Sequence, residues 1–151
     1  GETDREFEET LDLIRALPFG YLHLFPFSPR PGTGAWALHA TAPVPSALVE
    51  ERMAALRALA GEKSKAHRRR FAGRELDVIT LHTPQVQATA GRTSALSENF
   101  LPVEIATGLP ANRMVQIRVT GIATDGTLLA VEATGAQPLA MPPLSALCAA
   151  V

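Results

Sequence analysis

From Thr3 to Leu17 the apolar residues return every three or four positions. Phe7, Leu11, Ile14 and Leu17 fall on one helical stripe, and Asp4, Glu8, Glu9 and Asp12 fill the opposite side. Thr3 followed by Glu6 spells a capping box, in which each residue satisfies the other's backbone N–H. Acids in the first turn also suit the positive helix end. Pro18 stops the run, so the pattern predicts a helix over about 4–17. The period then changes to two. Tyr21, His23, Phe25 and Phe27 alternate with Leu22 and Leu24, which predicts a strand over Tyr21–Phe27 that is apolar on both faces. Such strands belong in parallel sheets covered on both sides. A helix followed by such a strand is half of a βαβ repeat, so the other strands are expected to come from outside this segment.

Ser28-Pro29-Arg30-Pro31-Gly32-Thr33-Gly34 holds two prolines and two glycines, and reads as a defined loop at the strand's C-terminal end. Ligands of α/β folds bind at that end. Pro45 is well placed to open a second helix. Val49, Met53, Leu56, Ala60, His67 and Phe71 trace its stripe to about Phe71, with a possible bend at Gly61 and a stop at Gly73. From Arg74 onward the alternation has period two again. Strands are expected over Glu75–Leu81 and Gln85–Ala90, and around Leu101–Ile105, Val115–Val119 and Leu129–Ala133. Asp125-Gly126 supplies the last tight turn. Four or five short strands in so short a stretch predict a small antiparallel β-barrel of the oligonucleotide-binding sort. The fold class is thus α+β. The segments are 1–44, a linking helix over 45–73, a β-barrel over 74–134 and an apolar tail over 135–151.

Composition refines this picture. The chain has 151 residues, 46% hydrophobic and 19% charged, which is globular. The net charge of −1 hides an asymmetry. Residues 1–17 carry six acids against two bases, whereas residues 61–74 carry Lys63, Lys65, Arg68, Arg69, Arg70 and Arg74 against Glu62 alone. The single cysteine, Cys148, excludes a disulfide framework or a cysteine-rich metal site within the chain. His23, His39, His67 and His82 lack metal-ligand spacing. No apolar run is long enough for a membrane span, and the acidic start is unlike a signal peptide.

Several stretches, in order, resemble one family. Gly1-Glu2-Thr3 with Phe7-Glu8-Glu9-Thr10 is similar to the late barrel segment of radical-S-adenosylmethionine methylthiotransferases. Tyr21-Leu22-His23-Leu24-Phe25-Pro26-Phe27-Ser28-Pro29-Arg30-Pro31-Gly32-Thr33 resembles their last barrel strand and its loop. Val44-Pro45 with Glu51-Arg52 and Leu56 resembles the helix that leaves the barrel. Phe71-Ala72-Gly73-Arg74-Glu75-Leu76-Asp77-Val78 and Leu96-Ser97-Glu98-Asn99-Phe100-Leu101-Pro102-Val103 resemble parts of their C-terminal TRAM domain. The resemblance covers roughly residues 1–134. It implies a remnant of a radical-S-adenosylmethionine (α/β) barrel, a linking helix and a TRAM barrel. It further implies that the full-length enzyme adds a methylthio group to a modified adenosine beside the tRNA anticodon, in the cytoplasm. Two [4Fe–4S] clusters and S-adenosylmethionine would serve that enzyme. Cluster ligation needs several thiolates. This chain is therefore expected to bind no cofactor and to be inactive alone. Its expected partners are the tRNA anticodon stem-loop, the rest of the barrel and an N-terminal domain, with no membrane.

The candidate residues follow from loop position and charge. Phe27, Ser28 and Arg30 would frame S-adenosylmethionine or the target nucleotide, Arg30 pairing with a phosphate or carboxylate. The bland alternative is a rigid turn whose arginine braces a neighbour. Lys65, Arg68, Arg69, Arg70 and Arg74 would track RNA phosphates. Alternatively, they merely complement the negative end of a helix. Asn99 and Phe100 would meet bases by edge contacts and stacking, unless Phe100 is core. Two functions from different classes stand: part of a tRNA methylthiotransferase, or a stand-alone, non-catalytic RNA-binding module with a helical anchor. A C-x-x-x-C-x-x-C segment encoded upstream of Gly1 discriminates between them.

Overall fold

The computed structural model describes residues 1–133, so the apolar tail over 135–151 and Cys148 lie outside the described residues. The chain divides into two compact units, Gly1–His67 and a second that starts at Arg68.

The first unit is helical. Helix α1 spans Asp4–Ala16, as the apolar stripe predicts. The Thr3 backbone N–H donates to Glu6 Oε2 at 2.7 Å, and the Glu6 N–H donates to Thr3 Oγ1 at 3.3 Å. The Thr3 hydroxyl also donates to Glu6 Oε2, at 2.8 Å, and the two bonds to that carboxyl, the backbone N–H first and the hydroxyl second, hold it below its usual range. Phe7 and Leu11 are buried. At the other end Lys63 Nζ donates to the carbonyls of Arg15 and Leu17, capping the helix terminus alongside the Phe19 N–H, which also donates to the Leu17 carbonyl. Helix α2 spans Gly34–Thr41, a region the sequence left without an element. Thr33 opens it, accepting the Trp36 N–H at 3.1 Å. Its apolar residues lie on all sides, so no stripe betrays it. Helix α3 spans Ser46–Arg69 and agrees with the expected long helix. Gly1 packs so closely on residues 42–44 that a Cβ there would stand 2.6 Å from the Ala42 carbonyl.

One expectation fails in this unit. Residues 21–27 are extended but form no strand, and no backbone hydrogen bond joins residues 21–29 to another described residue. Tyr21, Phe25 and Phe27 are exposed rather than buried. The reason is the want of a partner, because a strand exists only as part of a ladder. Tyr21 meets His23 edge-on, and His23 stacks on Phe25, so the residues of one face touch one another instead. Amide hydrogens of residues 21–27 are accordingly expected to exchange at nearly unprotected rates in the monomeric chain. Protection comparable to the barrel strands in a proven monomer would contradict this.

The second unit is a closed five-stranded barrel in the order β1-β2-β3-β5-β4. Its strands are β1 (Glu75–Thr80), β2 (Thr93–Ser97), β3 (Pro102–Ile105), β4 (Met114–Ile122) and β5 (Leu128–Glu132). All neighbours are antiparallel except β3 and β5, which pair in parallel with Val103 opposite Leu128. The wholly antiparallel barrel is thus corrected, and arithmetic requires it: a ring with an odd number of strands cannot alternate direction throughout. Alternate residues point inward, so Val78, Val103, Ile105, Ile117, Val119 and Leu128 form a core at most 2% exposed.

Two further corrections concern β1 to β2. Gln85–Ala90 is not a strand; Gln85–Thr89 forms a short helix, α4, opened by Pro84 and followed by Gly91 at φ +69°. Strand β2 has no counterpart in the sequence reading because its inward residues are Thr93, Ala95 and Ser97. Two of these are polar, so alternation of hydrophobicity misses them. Their hydroxyls are satisfied inside: Thr93 Oγ1 donates to the Thr107 carbonyl at 2.7 Å and accepts the Leu109 N–H.

Candidate nucleic-acid interface

The β2–β3 hairpin is closed by Ser97 and Leu101, leaving the three-residue loop Glu98-Asn99-Phe100. The Ser97 N–H donates to the Leu101 carbonyl, and Ser97 Oγ accepts the Leu101 N–H at 3.0 Å. Three-residue hairpins place their last loop residue in the left-handed region, where glycine is favoured. Phe100 occupies that position, with φ +57° and 81% of its surface exposed. It is not core. A large aromatic ring is held in water by a backbone conformation that costs about 1–2 kcal/mol for a residue with a Cβ. Backbone outliers of this kind cluster at functional sites. Asn99 beside it is also exposed.

The basic cluster divides into groups with different surroundings. In the first unit Lys63 caps α1, and Lys65 is exposed. In the second unit Arg69, Arg70 and Arg74 are exposed, whereas Arg68 is half-buried. A Cβ on Gly126 would meet Arg68 Nε at 3.0 Å, so the guanidinium lies directly against the β4–β5 turn. That turn also holds Asp125, which accepts the Thr127 N–H at 2.9 Å and its hydroxyl at 3.1 Å. These bonds, with a smaller contribution from Arg68, hold the Asp125 carboxyl below its usual range. Arg68 is therefore placed to brace the turn, unlike the exposed Arg69 and Arg70. Arg92 and Arg118 bind Glu104 and Glu75.

No protein-family model matches the chain. Curated proteins do. The chain is 34% identical over 131 residues to the threonylcarbamoyladenosine tRNA methylthiotransferase MtaB of Treponema pallidum, a match covering 85% of this chain and 25% of that protein. It is 30% identical over 128 residues to the protein of the same name from Thermotoga maritima, covering 85% and 28%. A tRNA-2-methylthio-N(6)-dimethylallyladenosine synthase of Cereibacter sphaeroides is 46% identical over 80 residues, covering 52% and 17%. The chain belongs to the tRNA methylthiotransferase family. It spans about a quarter of the length of the two MtaB relatives.

The remaining candidates of this methylthiotransferase segment lie in the first unit. Phe27 is 59% exposed, its ring 5.7 Å from that of His39. Both border a cavity of about 730 Å³ that also meets Phe7, Phe25, Leu38 and Arg52. Ser28 and Arg30 are exposed and do not line it. The Arg30 carbonyl accepts the Thr33 hydroxyl at 2.8 Å, as a turn requires. Sequence reasoning gave no role to Arg52. It is 6% exposed, with bonds of 2.7 Å to Glu2 Oε2 and Asp4 Oδ1, a bond to the Glu2 carbonyl, and its guanidinium 5.1 Å from the Phe7 ring centre. Its spacing from Val49 and Leu56 puts it on the buried stripe of α3, which was the available signal. Among the described residues there is no cysteine and no cluster of three or more histidines or acids able to hold a metal ion. They do not fit an iron–sulfur cluster. No described helix is long and apolar enough to cross a membrane.

Proposed function

We propose that this chain is the C-terminal, tRNA-facing portion of a methylthiotransferase that modifies an adenosine beside the anticodon. Phe100 is the observation that carries this reading: an exposed aromatic in a strained loop, on a small barrel, in a relative of proteins named for tRNA modification. The barrel contributes tRNA binding. Phe100 stacks on an unpaired base, Asn99 meets a base edge, and Arg69, Arg70 and Arg74 track phosphates, with Lys65 available to do the same. The iron–sulfur clusters and S-adenosylmethionine belong to the full-length enzyme. Phe27 borders a cavity and so is the best placed of the loop residues to frame S-adenosylmethionine or the target nucleotide; Ser28 and Arg30 would act from the rim.

Replacing Arg69 and Arg70 together with alanine tests the phosphate contacts. Both are exposed, so the fold should survive. The log–log salt dependence of tRNA affinity is expected to flatten by about 1.4–1.8, at roughly 0.7–0.9 per lost contact. An unchanged slope would leave these arginines as helix-end charges.

A further inference from the structure

Paired residues of neighbouring strands point to the same side of a sheet. Ile79 on β1 is exposed and stands opposite Leu96 on β2 and Met114 on β4, while Leu96 stands opposite Pro102 on β3. Met114, Ile79, Leu96 and Pro102 therefore form one outward row across four strands. Polar groups border the row on both sides, apart from the exposed Leu81, whose N–H donates to the Ser94 carbonyl. On one side α4 is pinned to the barrel: the Ser94 hydroxyl donates to Gln87 Oε1, Gln87 Nε2 donates to Glu104, and Arg92 binds the same carboxylate. On the other side Asp77 faces Gln116, and the Glu98 N–H donates to the Asp77 carbonyl. On that same side, two residues before Pro102, the hairpin loop presents Phe100.

We propose that this row is the floor of a track for unpaired RNA bases, which runs from Phe100 across Pro102, Leu96 and Ile79 to Met114. The proposal rests on the RNA-binding reading above. Four strands at about 4.8 Å spacing make the row roughly 14 Å long, and one row is about 7 Å wide. That is on the order of 100 Å², far below the roughly 800 Å² per partner of a stable protein interface. A single file of bases needs only such a strip. The border away from α4 offers what base edges seek, the amide of Gln116 and the carboxylate of the exposed Glu98. The acids next to the floor repel phosphate, so the bases face inward. Arg113, exposed at the end of β4 beside Met114, lies where the strand would leave and carries no acidic partner among the described residues.

The test uses the whole chain and a twelve-nucleotide unstructured RNA. Ile79→Thr with Leu96→Gln alters the floor without changing charge. Val131→Thr is the control, since Val131 is exposed on β5 outside the row. The floor variant should lose at least about tenfold in affinity with an unchanged salt slope, and the control less than about twofold. RNA carrying 4-thiouridine should crosslink to peptides holding residues 79–81, 96–102 and 113–116, a readout that needs no variant. Binding that survives the floor changes, with crosslinks confined to Arg69–Arg74, overturns the track and leaves the RNA-binding reading standing. No binding by the unaltered chain at low salt overturns both. Concentration-dependent dimers that the floor changes abolish would assign the row to self-association instead.

Discussion

Replacing Phe100 with glycine is expected to make the protein more stable and a poorer RNA binder at once. The left-handed backbone at Phe100 costs a residue with a Cβ about 1–2 kcal/mol, and glycine removes that cost. Glycine also gives the unfolded chain more freedom, which offsets part of the gain. A net stabilisation of about 0.5–1 kcal/mol remains. Little burial is lost, because the ring is 81% exposed. Base–aromatic stacking is worth about 1–3 kcal/mol, so tRNA affinity should fall between roughly fivefold and 150-fold. Thermal unfolding and an affinity titration on the same preparation decide the matter. A lowered melting temperature would show that the ring packs in the fold. Unchanged affinity would remove Phe100 from the RNA contact.

The second large effect concerns Arg52. Its guanidinium ties α3 to the start of α1 through Asp4 and to the preceding Glu2, and lies over Phe7. Truncation to alanine removes charge-assisted bonds, each worth about 1.5–3 kcal/mol in favourable settings. The full sum does not apply. Both carboxylates are solvated, Asp4 at 89% exposure, and pairing across water is weak. Arg52 also bears the cost of its own burial, with Nε unpartnered. A loss of about 2 kcal/mol from the first unit follows. Arg52→Met should cost about half as much, because it keeps the apolar contact with Phe7. Trp36, the single tryptophan, lies in this unit and reports on it by fluorescence during urea unfolding. If Arg52→Ala unfolds at the wild-type midpoint, the clamp is ornamental.

Legibility in the sequence varied with where each signal originates. Helices α1 and α3 were readable because their apolar stripes and the Thr3–Glu6 cap are local. Strands β1, β3 and β4 were readable because inward Val, Ile and Leu alternate with neighbours that are mostly polar. Strand β5 was located but read one residue out of phase, since Leu128 and Ala130 face the core while the equally apolar Leu129 and Val131 face outward. Strand β2 escaped because its buried positions are threonine, alanine and serine, whose fitness depends on the distant carbonyl of Thr107. Residues 21–27 misled in the other direction. Their alternation describes a strand, yet within the described residues nothing pairs with it. At the candidate interface the chemistry of the arginines was legible and their employment was not. Lys63 and Arg68 read like Arg69 and Arg70 until the contacts with α1 and the Gly126 turn are known. The strain at Phe100 follows from a loop length that emerges only once β2 is placed.

The closed ring of the barrel restricts how it can recognise anything. Each of the five strands has a neighbour on both sides, the parallel β3–β5 pair sealing the last gap. No strand edge is left to accept an incoming peptide by β-augmentation, the mode in which main-chain bonds supply affinity. Whatever binds this barrel must do so through side chains and loop backbone, where sequence can tune it residue by residue.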